Sequence, residues 1–374
     1  MAYGTVNADV IQSSVSGVSL GAGNASIMKN RIINGAMVID QRNAGASVTP
    51  TSGVVYTLDR WASASSQASK FSVQQNAGSV TPPAGFTNYL GATSLSAYSV
   101  PAGDYCSLEQ MIEGFNIADL GWGTANAKIV TLSFKVYSSL TGTFGGSLSN
   151  SALDRSYPFT YSIPIANTWT TISVTIAGDT SGTWLTTNGI GIRVYFGLGV
   201  GSTYSGTAGS WAGALYLSAT GATSVVGTNG ATFYITGVQL EVGSSATGFE
   251  YRQYQQELAL CQRYYEKSYD TGTVPATATD NGRLISICGT VGSGSSVYAV
   301  SLNFATEKRI APTMVSYDQT GASGKITTFN AVAAPTNNVS PNYGFGETST
   351  RGTRMATVGA IAGIGCQWTA SSEL

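Results

Sequence analysis

Histidine is absent from this sequence. That removes imidazole triads, His-ligated metals and the usual general base in one step. Charge is scarce as well. Asp, Glu, Lys and Arg make up 10% of the chain, against roughly 25% in typical soluble proteins. The formal net charge is -1, and no long run of Lys or Arg occurs, so binding of nucleic acid through phosphate neutralisation is not expected. The four cysteines, Cys106, Cys261, Cys288 and Cys366, are widely spaced with no CxxC pair. A zinc site is therefore not expected, and they are read as buried thiols of a protein made in a reducing cytoplasm. No run of about 18 apolar residues is present, so no membrane insertion is expected. The first residues lack a basic stretch followed by an apolar core, so no signal peptide is expected either.

What fills the gap left by charge is neutral. Gly (46 residues), Ser, Thr, Asn and Ala are abundant, and hydrophobic residues still reach 43%, enough for folded cores. Tyr (20 residues) and Gly favour strands and turns. Period-2 alternation recurs. In KIVTLSFKVY, 128–137, Val130, Leu132, Phe134 and Val136 share one face; Ile129, Thr131, Ser133, Lys135 and Tyr137 share the other. Ile172, Val174 and Ile176 repeat the design, as do Ile190, Ile192, Val194 and Phe196. Asn30–Arg42, Tyr56–Trp61 and Phe71–Gln75 are further strand candidates, with Asp59 and Arg60 on opposite faces of theirs. One-sided strands joined by Gly-rich turns, with no helices between them, predict antiparallel sheets packed as a β-sandwich of jelly-roll type.

The stretch 232–267 is where this pattern changes. Phe233 and Ile235 alternate with polar residues; after Gly237 the alternation resumes one place out of step in Val238, Leu240 and Val242. One inserted residue does this, so a β-bulge is predicted at Gly237. A helix follows, over Glu250–Lys267, with Tyr254, Leu258, Cys261 and Tyr265 in one stripe. That stripe has two readings: a seam against the helix's own domain, or contact with copies of itself about a threefold axis. Two heptads are too short for an autonomous coiled coil. The chain is thus divided into a weakly patterned arm at 1–29, a β-sandwich at 30–249, a helix and linker at 250–280, and a smaller C-terminal β-domain at 281–374. The arm suits attachment or subunit contact.

Sugars are recognised by aromatic rings against pyranose faces, with amides and carboxylates for the hydroxyls. Trp122, Trp184, Tyr204 and Trp211 stand in Gly-rich, loop-like contexts and are the candidate glycan contacts. The alternative for these rings is capping the sandwich core or filling a subunit interface. Trp61 and Trp169, at the starts of strands, are assigned to the core. Asp179 in GDTSG is either an Asx-turn residue or a calcium ligand. Asp104 and Glu109, or Glu113 and Asp119, could supply two carboxylates, but no spacing argues for the opposed geometry of a glycosidase. No catalytic, cofactor or metal site is expected.

Several motifs in a fixed order, RIINGAMVIDQRN, LDRW, GFNIADLGWGTANAKIVTLSF, VTIAGDTSGTW, ITGVQLEVGSSATGFEYR and ELALCQRYYEK, resemble a group of bacteriophage tail-fibre and virion-surface proteins. APTMVSYD, GKITTF and the closing ASSEL resemble the terminal β-domain that often follows them. The resemblance implies carbohydrate-binding-like sandwiches in trimeric fibres, and no catalytic motif. What it leads one to expect is a structural part of a virion that attaches to other virion proteins through residues 1–29, forms a homotrimer and binds host cell-surface polysaccharide. A capsid or collar decoration with no receptor role is the alternative, and a polysaccharide depolymerase a further one.

Overall fold

In the computed structural model the described residues are 29–287, 296–329, 334–341, 345–346, 348–359 and 362–374. The arm expected at 1–29 lies outside them but for Lys29, as does Cys288. The chain divides into two compact units. The first comprises residues up to 38, with 49–55 and 61–252; the second comprises 39–48, 56–60 and 253–374.

The first unit contains β1 (Gly53–Leu58, whose last residues count with the second unit), β2 (Trp61–Ser65), β3 (Phe71–Gln75), β4 (Leu90–Ser94), β5 (Tyr105–Glu113) and β6 (Val130–Ser138). It continues through β7 (Gly142–Ser149), β8 (Ser156–Ile163), β9 (Thr170–Ile176), β10 (Ile190–Val200), β11 (Ser205–Gly206), β12 (Ser218–Ala219) and β13 (Thr232–Val242). Two antiparallel sheets form a β-sandwich. One has the order β1-β2-β5-β10-β7-β8, the other β3-β4-β13-β6-β9. Alternation sets the inner faces. Val130, Leu132, Phe134 and Val136 of β6 are buried. Across the core, Phe134 meets Phe196 of β10 and Tyr161 of β8, each at 5.0 Å between ring centres. Phe144 of β7 meets Phe233 of β13 at 6.0 Å. Fully burying one such ring contributes roughly 1.5–3 kcal/mol of transfer free energy.

The predicted bulge is present. The β13–β6 register slips between Thr236 and Gln239, and Gly237 has φ +60°. The slip returns Val238 and Leu240 to full burial. Two strand expectations are corrected. Residues 30–42 form no ladder, because Asn34 and Met37 both take positive φ and turn the chain twice. Asp59 and Arg60 are not within a strand: they are the turn joining β1 to β2, with Arg60 at φ +69°.

The second unit contains α1 (Tyr254–Gln262), β14 (Tyr265–Lys267), β15 (Leu284–Ile287), β16 (Ser296–Asn303) and β17 (Thr313–Tyr317). It ends with β18 (Ile326–Phe329), β19 (Thr336–Val339), β20 (Phe345–Gly346), β21 (Gly352–Gly359) and β22 (Gly363–Ser371). β22 is its spine, pairing antiparallel with β14, β15, β17 and β18. Residues 39–48 and 56–60, which the sequence reading placed in the sandwich, belong here because their polar side chains are satisfied here. Gln41 Nε2 donates to Asp59 Oδ1 at 2.7 Å and to the Tyr265 carbonyl at 3.0 Å. Arg42 donates to Glu373 at 2.7 Å, and Arg60 pairs with the same carboxylate. Arg60 also lies over the Tyr264 ring, 3.6 Å from its centre.

The expected helix is shorter than its sequence pattern. It ends at Gln262, and Tyr265 lies in β14, paired with Ser371. Strand pairing with β22 overrides the helical periodicity there. The four-residue stripe is therefore not one helical face: Cys261 is buried and Leu258 partly so, but Tyr254 is 46% exposed. Glu257, not an apolar residue, is buried one turn before Cys261.

Candidate functional site

Three of the four predicted contact residues come together. Trp122 and Trp184 lie 4.7 Å apart between ring centres, and each is 5.4 Å from Trp211, all edge to face. Their N–H groups are spent on backbone carbonyls: Trp122 on Lys128 (2.8 Å), Trp184 on Ser181 (3.1 Å), Trp211 on Ala177 (2.8 Å). Trp122 and Trp184 are buried; Trp211 is half-buried. The triad staples three Gly-rich loops over the end of the sandwich. Tyr204 is elsewhere, edge-on to Tyr105 at 5.2 Å. Asp179 supports the staple rather than an ion. Its oxygens accept from Arg155 Nε (2.8 Å) and Nη2 (2.6 Å) and from the Ser181 amide (3.1 Å). Among the described residues no group of three or more Cys, Asp or Glu is placed to hold a metal.

An open aromatic surface exists instead on the outer face of the five-stranded sheet. Trp169 is not core: it is half-exposed beside β9. Its ring is 5.5 Å from Tyr89 and 5.5 Å from Tyr137, and Tyr137 stacks on Tyr234 at 5.4 Å with 6° between planes. Tyr89 and Tyr234 are the buried floor, and burial pushes both phenols above their ordinary pKa. The Tyr89 hydroxyl donates to Ala77 O (2.6 Å) and accepts from the Val80 amide (2.8 Å); Trp169 donates to Thr81 O (2.9 Å). Loop 76–81 is thus pinned beside the rings. Gly91 opposite Tyr234 makes this possible, since a Cβ there would stand 2.7 Å from the ring.

The same outer positions run on along the strands, since residues i and i+2 share a face. Lys135 and Ser133 of β6 face Thr171 and Ser173 of β9 in register. They floor a cleft of ≈ 440 Å³, walled by Phe86, Phe249, Tyr251 and the loop 246–248. Phe86, Phe249 and Tyr251 form a second aromatic group, with centres 5.0–5.6 Å apart. The bulge is what admits them. A Cβ on Gly237 would meet the Phe86 ring at 2.6 Å. The wall is held in place from below. Buried Glu241 accepts from the Thr247 amide (2.8 Å), the Thr247 hydroxyl (2.6 Å) and Gln239 Nε2 (2.8 Å). Gln239 Oε1 accepts the Glu250 amide at 2.8 Å.

Lys135, bonded to Thr171 Oγ1 at 3.0 Å, is the one charged side chain lining the cleft among the described residues. The lining is otherwise hydroxyls, small residues and rings, with no carboxylate. Such a surface can stack on apolar ring faces and exchange neutral hydrogen bonds.

No family model matches the chain, and no curated protein matches it in sequence. Several solved structures are similar to it. One is a putative sugar-binding protein from Bacteroides thetaiotaomicron, 11% identical, with TM-score 0.32, covering 57% of this chain and 100% of that one. Another is a family 11 carbohydrate-binding module from Clostridium thermocellum, in complex with a mixed-linked tetrasaccharide: 10% identity, TM-score 0.29, 52% and 97% coverage. A third is the enzymatically active domain of bacteriophage CBA120 tailspike protein 4, 11% identical with TM-score 0.30. That match covers 57% of this chain and only 21% of the tailspike's.

The carboxylates considered from sequence are dispersed among separate partners. Asp104 accepts from Ser66 and Gln67, and Asp119 pairs with Arg31 at 2.8 Å. Glu113 is buried at the end of β5, and Glu109 faces Arg193 across the other sheet. The residues that sequence reading missed as site candidates are Phe86, Tyr89, Tyr234, Phe249 and Tyr251, and Trp169 was misplaced. One signal was present: Tyr137 falls on the outward face of a strand whose inner face is complete.

Proposed function

We propose that this chain is a structural component of a phage virion, a tail fibre or similar appendage, that holds host surface glycan along the outer face of its five-stranded sheet and does not cleave it. One observation carries the reading: two groups of exposed and half-exposed rings, Trp169 with Tyr137 and Phe249 with Tyr251, joined along the sheet by hydroxyls and the single charge of Lys135, with no carboxylate in the cleft. Glycoside hydrolysis ordinarily needs two opposed carboxyl groups, which this strip lacks. The ordered run of virion-like motifs supports the particle assignment, and a homotrimer would strengthen weak single sites through multivalency.

The test is competition. Added free, the protein should reduce adsorption of a phage that carries it, and the Trp169→Ala/Tyr137→Ala variant should not. A folded wild-type chain that fails to compete while remaining part of the particle would favour the decoration reading. Release of reducing ends from host polysaccharide would sink the binding-only reading.

A further inference from the structure

Stacking and neutral hydroxyls leave one side chain of the cleft unexplained. Charge is scarce in this chain, and elsewhere Arg31, Arg155 and Lys308 each hold a carboxylate: Asp119 at 2.8 Å, Asp179 at 2.6 Å, and Glu266. Lys135 has no such partner among the described residues. Its polar contact there is the Thr171 hydroxyl at 3.0 Å, in an exposed bond on the cleft floor. An ammonium has three N–H donors, so two remain for a ligand that arrives from solvent.

The surroundings favour an anion. Ser133 and Lys135 of β6 lie in register with Ser173 and Thr171 of β9; the β6 pair is half-buried and the β9 pair exposed. Their hydroxyls are further donors beside the ammonium. Among the described residues no Asp or Glu lines the cleft. The carboxylates behind the wall are already engaged. Glu250 pairs with Arg252 at 3.2 Å, and Glu241 is buried with both oxygens accepting from Thr247. Lys29 donates to the carbonyl of Gly248, a lining residue, and so brings a second positive charge beside the cleft. A neutral glycan would take a hydrogen bond from Lys135 and leave its charge unanswered. A carboxylate answers it, and hydrogen bonds to ionised acceptors are roughly twice as strong as neutral ones. The rings of Phe86, Phe249 and Tyr251 exclude water on one side, which strengthens the attraction.

We propose that the cleft selects acidic polysaccharide. A uronate or sialate carboxylate sits on Lys135 Nζ, flanked by the hydroxyls of Ser133, Thr171 and Ser173, with the sugar's apolar face on the aromatic wall. This rests on the glycan-binding reading above and names the glycan class for the same site.

Titration of the full chain by microscale thermophoresis tests this. The ligands are oligomers of galacturonate, mannuronate, hyaluronate and sialate, and the same oligomers after chemical reduction of their carboxyls to alcohols. Reduction keeps the linkages and removes the charge. At least one acidic oligomer should bind, and its reduced form should bind about tenfold more weakly, the ratio expected for one charged hydrogen bond. Raising salt from about 0.01 M to about 0.1 M, which shortens the Debye length from ~30 to ~10 Å, should weaken binding of the acidic form alone. Lys135→Met should erase the difference between the two forms, and Lys135→Arg should keep it. Trp169→Ala/Tyr137→Ala should weaken both. Equal affinity of the wild type for acidic and reduced forms would overturn the proposal and leave glycan binding standing. So would a preference that survives in Lys135→Met. Failure of every acidic oligomer to bind would overturn it as well, while the adsorption competition judges the glycan-binding reading separately.

Discussion

Replacing Gly237 with alanine tests whether the bulge in β13 is what builds the cleft. Two costs are readable. The backbone there has φ +60°, where an L side chain costs roughly 1–2 kcal/mol. The new methyl would also stand 2.6 Å from Phe86 Cζ, so the ring must leave its place. In leaving, Phe86 gives up edge and tilted contacts with Phe249 and Tyr251, each worth about 0.5–1.5 kcal/mol beyond area. The sum is about 2–5 kcal/mol. For a domain of this size 1 kcal/mol moves Tm by roughly 2–4 °C, so thermal unfolding of the sandwich should fall by roughly 4–20 °C. Glycan binding should weaken even in the folded variant, because the cleft wall has moved. Gly213→Ala is the control: its backbone is ordinary and its surroundings open, so neither quantity should change. A Gly237→Ala melting curve that overlays the wild type, with binding intact, would refute both the strain argument and the role given to Phe86.

Other outcomes follow from the same geometry. Trp169→Ala removes a ring from the strip and should cost about 2 kcal/mol in glycan affinity, near thirtyfold, with little loss of fold; glycan titration by calorimetry checks it. Arg155→Met leaves Asp179, 1% exposed, without its bidentate partner and should destabilise by about 3–5 kcal/mol; Arg155→Met/Asp179→Asn should recover part of that in a melting series. Burial lifts Asp59 to about 6, against the opposing pull of Arg42 and of the Gln41 hydrogen bonds. A raised carboxyl binds its proton more tightly folded than unfolded, so its ionisation lowers stability as pH climbs from about 4 to 6. The full span is about 3 kcal/mol at 1.36 kcal/mol per unit. Asp59→Asn should flatten that slope in Tm measured between pH 4 and 7; an unchanged slope would assign it to other groups.

Much of the sandwich is legible from alternation alone. Val130 to Val136 and Ile190 to Phe196 point inward as their period requires, and the out-of-step alternation after Gly237 marks the bulge. Local pattern works there because burial acts on each strand separately. It fails where a distant partner decides. Tyr265 continues a helical stripe in sequence, yet Ser371, over a hundred positions away, draws it into a strand. Gln41 and Asp59 look like parts of the sandwich until Tyr265 and the C-terminal segment are seen to satisfy the polar groups around them.

For the site, the sequence determined the chemistry: without imidazole and with few charges, rings and hydroxyls are what remain to meet a ligand. It did not determine which rings face outward together. Trp122, Trp184 and Trp211 sit in loops that suggest display, but folding packs them against one another and spends their N–H groups. Trp169, Tyr137 and Tyr234 become neighbours only because β9, β6 and β13 lie side by side. A period of two tells each residue which way to point; only the order of strands in the sheet decides whose side chain stands next to it.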